Sequence, residues 1–169
     1  MSQVLRTLGW NLTDSGRRAD SGPVLVIVSG YFSPLHSGHL DYLEEAASAG
    51  DRLIVIVNNN DQQILKKGKL IMDQEDRIRI VNALSVVDEA IISIDNDRSV
   101  SKTLALIAES NEDSKLIFGN GGDRNSLEDI PEVGICKKYG IETIFNFGGT
   151  DKKDSSSRIN QELGIEAKG

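Results

Sequence analysis

Five short apolar runs recur along the chain, each separated from the next by a stretch with helical spacing. They are Val24–Val28, Leu53–Val57, Asp88–Ile94, Lys115–Phe118 and Ile141–Phe145. Runs of this length, rich in β-branched residues and bounded by Gly, Pro or Asn, suit strands buried on both faces of a parallel sheet. Parallel neighbours require crossover connections, and the intervening segments supply them as helices. In the first, Leu40, Leu43, Ala46 and Ala47 fall on one face, with Asp41, Glu44, Glu45 and Ser48 opposite. Asp73 is placed to cap a helix reaching Leu84, and Ser99 or Ser101 one that turns Leu104, Ile107 and Ala108 inward. Pro131 opens a further helix, which Gly140 ends. The expected architecture is α/β, a Rossmann-like three-layer sandwich around a five-stranded parallel sheet.

Residues 23–169 suffice for a single domain, while 1–22 lack periodicity and read as an N-terminal arm or tail. Trp10, Leu8 and Val4 in that arm are expected to dock on the domain or on a partner subunit. A formal net charge of −7 argues against nucleic acid as a partner, so any nucleotide site has to be locally basic. The lone Cys136 has no intrachain disulfide partner and sits in a helical pattern as a packed thiol. Neither a signal-peptide core nor a membrane span is present in the sequence, and a cytoplasmic protein is expected.

The first strand leads into Gly30-Tyr31-Phe32-Ser33-Pro34-Leu35-His36-Ser37-Gly38-His39, which holds both histidines of the chain. The turn ends as a helix N-terminus, where amide groups without intrahelical partners and the positive dipole end suit phosphate. Two imidazoles three residues apart can point at one anion, and Gly38 allows close backbone approach. A zinc site would need a third ligand, and the chain offers one distant cysteine and no HExxH spacing. Lys66-Lys67-Gly68-Lys69 reads as a flexible basic loop within reach of a triphosphate, or as a solvated charge cluster. After the fourth strand, Gly119-Asn120-Gly121-Gly122-Asp123-Arg124 requires either a tight turn or the close approach of a flat ligand.

Gly30-Tyr31-Phe32 followed by His36-Ser37-Gly38-His39 resembles the HxGH signature of the cytidylyltransferase-like nucleotidyltransferase superfamily. The pattern extends from about Val24 to Ile159 and is nearest to the glycerol-3-phosphate cytidylyltransferase and heptose-1-phosphate adenylyltransferase branches. Many members carry Asp directly after Gly-x-Phe, where this chain has Ser33-Pro34. Ser155-Ser156-Ser157-Arg158 is similar to the family's serine/threonine run at the start of the last helix; upstream, where cytidylyltransferases often place an arginine, stand Lys152 and Lys153.

The resemblance implies strand order 3-2-1-4-5, which puts the loops after the first and fourth strands at the topological switch point. It implies transfer of a nucleoside monophosphate from CTP or ATP to a sugar- or polyol-phosphate, by in-line attack on the α-phosphorus with release of pyrophosphate. His36 and His39 would address the α-phosphate. Lys67, with Lys66 or Lys69 as stand-ins, Arg158 and the hydroxyls of Ser155, Ser156 and Ser157 would hold the leaving group. Gly30, Tyr31, Phe32, Ser33, Gly38, Gly119, Asn120, Gly121, Gly122 and Asp123 would line the nucleotide, and Arg77 and Arg124 are candidates for the phosphates or the acceptor. Mg²⁺ would be bound mainly through nucleotide phosphates, with no protein metal site. A homodimer is the expected assembly. The alternative is a nucleotide-binding regulatory module without turnover, which Ser33 in place of the aspartate favours.

Overall fold

The computed structural model describes residues 22–121, 130–148 and 155–166. Strand β1 (Val24–Gly30) is followed by helix α1 (Ser37–Ser48), β2 (Arg52–Val57), α2 (Asn60–Lys67) and α3 (Gln74–Asn82). Then come β3 (Glu89–Ile92), α4 (Ser101–Glu109), β4 (Lys115–Gly121), α5 (Val133–Tyr139), β5 (Glu142–Phe147) and α6 (Ser156–Glu162). All strand pairs are parallel, in the order β3-β2-β1-β4-β5. The predicted sheet and order are therefore the observed ones.

The alternation of side chains along each strand divides the core between the two faces. Leu25, Ile27, Ile54, Ile56, Leu116 and Phe118 meet Leu104, Ile107 and Ala108 of α4 and Cys136 of α5. Val26, Val28, Leu53, Val55, Val57 and Ile117 meet Leu43 and Ala46 of α1 and Val81 of α3. The central β1 is sandwiched between β2 and β4, with Ile27 opposite Ile54 on one side and Phe118 on the other. Its carboxyl end and that of β4 thus open side by side, at the point where the winding reverses.

Two local expectations are corrected. Helix α4 begins after Val100, which makes no side-chain cap, so neither Ser99 nor Ser101 is its N-cap, although Ser99 Oγ accepts the Ser101 amide at 3.3 Å. Instead the buried carboxylate of Asp95 accepts from the amides of Lys102 and Thr103 at 2.8 and 3.1 Å. A carboxylate reaching in from the end of the preceding strand satisfies the same orphan donors. Likewise, Lys66 and Lys67 are not in a loop: they form the last turn of α2, which Gly68 ends in a left-handed conformation (φ 80°). Two lysines there complement the helix dipole. Among the described residues no helix is long and apolar enough to cross a membrane.

Candidate active site

The turn between β1 and α1 is held in an unusual backbone path. Phe32 has φ 51°, in the left-handed region that a bulky residue rarely occupies, and the Ser33–Pro34 peptide is cis. The Phe32 side chain is buried, folding back towards Gly30 so closely that a Cβ there would lie 2.8 Å from the ring. That contact accounts for glycine at position 30, without any ligand. Beyond the turn, His36 is the N-cap of α1, and its Nδ1 accepts the Gly38 amide at 3.1 Å. His39 reciprocates: its Nδ1 accepts the His36 amide at 3.2 Å. The two rings lie 3.9 Å apart between centroids, and the His39 ring leans on Phe32 at 5.0 Å.

This mutual capping fixes the chemistry of both imidazoles. An Nδ1 that accepts an amide hydrogen carries no proton of its own, so each ring, when neutral, bears its proton on Nε2. His39 is held neutral as well as oriented. Burial first, then His36 and the ammonium groups of Lys67 and Lys66, bring its pKa down from 6.5 to about 3. Folding therefore depresses this pKa, so between about 3 and 6.5 the unfolded chain binds more protons, and stability falls as pH drops through that window. The melting temperature of the wild type is expected to fall more between about pH 7 and about pH 4.5 than that of His39→Gln. Equal losses would place the acid sensitivity elsewhere.

The serine run closes directly on this turn. Ser155 is the N-cap of α6, its hydroxyl accepting the Arg158 amide at 3.0 Å. The Ser156 hydroxyl donates to the Pro34 carbonyl at 2.8 Å, and the buried Asn160 donates through Nδ2 to the Ser33 carbonyl at 3.0 Å. Two segments more than a hundred residues apart are thus pinned together over the cis peptide. Asn160 is a residue that sequence reasoning missed. Ser157 and Arg158 are exposed beside it. Lys67 reaches the same corner, its Nζ 2.7 Å from Glu166 Oε1, with both side chains nearly buried (5% and 11% exposed). Lys66 lies over the Tyr31 ring at 4.4 Å.

Arg77 is the main correction. The sequence leaves it open between contact with a phosphate or the acceptor and a surface salt bridge, yet it is completely buried (0% exposed), and its guanidinium serves the protein itself. It donates to the carbonyls of Met72 (2.9 Å), Tyr31 (3.0 Å) and Asn58, and to Asn60 Oδ1 (3.2 Å). Burial lowers its pKa, partly opposed by Asp73 and Tyr31. Five donors in a planar fork match several carbonyls converging from β1, β2 and the loop before α3. Next to it, the buried Ser33 hydroxyl donates to Gln63 Oε1 at 3.2 Å. Gln63 in turn accepts from the amides of Ile71 and Met72 and donates to the Met72 carbonyl. The histidine turn therefore rests on a buried polar frame made by α2, α3 and the segment between them.

At the end of β4, Gly119 owes its identity to packing. A Cβ there would overlap the Phe147 ring of β5 and press on Val28, while its carbonyl accepts from Tyr42 at 3.4 Å. Asn120 differs: it is buried (5% exposed), and its Nδ2 has no hydrogen-bond partner among the described residues. Gly121 ends the strand; Gly122, Asp123 and Arg124 lie outside the described residues, as do Lys152, Lys153 and the arm 1–21.

A sequence model of the family described as cytidylyltransferase-like matches residues 27–142. The chain belongs to the cytidylyltransferase-like family. FAD synthase of Archaeoglobus profundus is 43% identical to this cytidylyltransferase-like chain over 74 residues, 44% of the chain and 47% of that protein. The bifunctional protein HldE of Blochmanniella pennsylvanica is 34% identical over 128 residues, 75% of the chain and 25% of that protein. The chain thus matches half or less of the length of these relatives. Among solved structures, the lipopolysaccharide core biosynthesis protein from Thermoplasma volcanium GSS1 superposes with a TM-score of 0.59 at 28% identity, covering 79% of this chain and all of that one. The family assignment agrees with the resemblance read from Gly30–His39, and the matched span contains both histidines and the end of β4.

Proposed function

We propose that this chain transfers a nucleoside monophosphate from CTP or ATP to a phosphate monoester on a sugar or polyol, releasing pyrophosphate. The observation that carries the proposal is the docking of Ser156 and Asn160 on the carbonyls of Pro34 and Ser33, which brings the serine run to the histidine turn. One pocket then holds two Nε2–H donors, a lysine and a row of hydroxyls. An acceptor phosphate oxygen attacks the α-phosphorus in line; the new P–O bond forms as the bond to the β-phosphate oxygen breaks, and the electron pair leaves with the diphosphate. No protein nucleophile is required, so catalysis is positioning together with donors aimed at the charge developing on the α-phosphate. A neutral His39 suits that task, because it donates through Nε2 without carrying a second proton.

Mg²⁺ in this scheme is carried by the triphosphate. Among the described residues no group of three or more His, Cys, Asp or Glu side chains gathers to hold a metal, and the pocket's contribution is cationic and hydroxyl donors to phosphate oxygens. The Asn120 amide at the end of β4, unpartnered among the described residues, is suited to meet a base edge, since a buried donor without a partner is costly until a ligand supplies one. Ile64, Leu65 and Leu70, exposed around the end of α2, are the apolar surface a homodimer would cover. A cytoplasmic location remains part of the proposal.

One observation favours the second reading, a nucleotide-binding module with little turnover: the side chain at position 33 is turned into the protein towards Gln63. A pyrophosphate-release assay separates the two. Release that requires both a nucleotide and a sugar- or polyol-phosphate supports the transferase; nucleotide binding without release supports the module. Thermal-shift titration with the four nucleoside triphosphates identifies the base, a ligand at one hundred times its Kd adding about 2.7 kcal/mol of stability. A response to GTP or UTP alone would refute the choice of CTP or ATP.

A further inference from the structure

After α6 the chain turns back on itself at Gly164 (φ 72°), where a Cβ would meet nothing, and the amides of Ile165 and Glu166 both donate to the Asn160 carbonyl. This reversal carries the Glu166 carboxylate over α6 to Lys67 of α2, ninety-nine residues away. There Oε1 accepts from Lys67 Nζ at 2.7 Å and from Asn160 Nδ2 at 3.2 Å. An ammonium and a side-chain amide converging on one carboxylate oxygen describe an anion seat, and it is filled by a side chain of the protein itself.

We infer that the Glu166 carboxylate stands in the seat of the leaving diphosphate and has to swing out before a triphosphate can enter. The inference rests on the transferase reading, in which Lys67 and Ser157 were assigned to that leaving group. Asn160 Nδ2 donates both to Glu166 Oε1 and to the Ser33 carbonyl, so the seat adjoins the turn that carries the histidine pair. Burial alone would raise the Glu166 pKa, but hydrogen bonds from Lys67 and Asn160 and the charge of Lys67 outweigh it and bring it below the ordinary value. The carboxylate is therefore ionised and competes with phosphate for the same donors. Among the described residues, the Glu166 backbone is held by the hydrogen bonds of the Ile165 and Glu166 amides to one carbonyl, and Gly164 gives it a pivot. Asn160 joins the set of ligand-binding residues on this view, released from Glu166 as the diphosphate arrives.

The test uses inorganic pyrophosphate as the probe, titrated calorimetrically into the full chain, Glu166→Gln and Glu166→Ala, beside the release assay on the same samples. Both variants are expected to bind pyrophosphate about tenfold or more tightly than wild type, a gain of about 1.4 kcal/mol. Adding Lys67→Met to Glu166→Gln is expected to abolish the gain. Unchanged or weaker binding in both variants would overturn the inference and make Glu166 a support for Lys67. Glu166→Gln keeps the shape of the side chain, so a misfolded Glu166→Ala does not obscure the result. If nucleotide turnover is seen while the variants bind no better, the self-filled seat is wrong and the transferase stands. If the variants gain affinity but no nucleotide is turned over, the seat stands and the transferase falls.

Discussion

His39→Ala is expected to lower kcat by about 10²–10³-fold, and His36→Ala by a similar factor, with much smaller changes in nucleotide affinity. Each removes one pre-aimed Nε2–H donor, and loss of such a donor to a developing oxyanion costs about 2.7–4 kcal/mol of barrier. The donors strengthen as charge accumulates on the α-phosphate, so the loss falls on the transition state rather than on the ground-state complex. The fold should survive, because each ring contributes a capping bond to α1 worth about 1 kcal/mol. Steady-state kinetics paired with nucleotide titration checks both halves. An unchanged kcat in either variant would remove the histidines from the reaction.

Arg77→Ala is expected to act on stability instead, lowering it by about 3–6 kcal/mol. At least two charge-assisted bonds to buried carbonyls are lost, at about 1.5–3 kcal/mol each, and the carbonyls of Tyr31 and Asn58 are left without that partner. Urea unfolding measures the effect. A loss of this size is a large fraction of a typical domain's stability, so the variant should be partly unfolded at ordinary temperature. Full stability with selective loss of nucleotide or acceptor binding would return Arg77 to phosphate contact.

The two predictions mark where sequence reasoning succeeds and where it stops. The sheet was legible because each strand is a local apolar run and each helix a local period, and parallel pairing leaves few ways to connect them. The turn at residues 30–39 was legible as the link from strand to helix for the same reason, since it is contiguous in sequence. Arg77 was not, since a charged residue near a helix start looks alike whether it faces solvent, ligand or three distant carbonyls. Lys67 was placed in a loop because Gly68 follows it, whereas that glycine is the cap that ends the helix. Asn160 and Glu166 carry no local pattern at all. Their roles exist only through contacts with Ser33 and Lys67, spanning 127 and 99 residues of sequence.

The seating of the Phe147 ring against Gly119 has a bearing on how such a chain can vary over generations. The two positions share one volume across β4 and β5, so a larger residue at 119 is accommodated only if the side chain at 147 shifts or is smaller. Because Tyr42 both neighbours the Phe147 ring and bonds the Gly119 carbonyl, α1 is bound into the same exchange. A side chain at position 119 therefore requires the Phe147 ring to move or to be replaced, a change on a neighbouring strand.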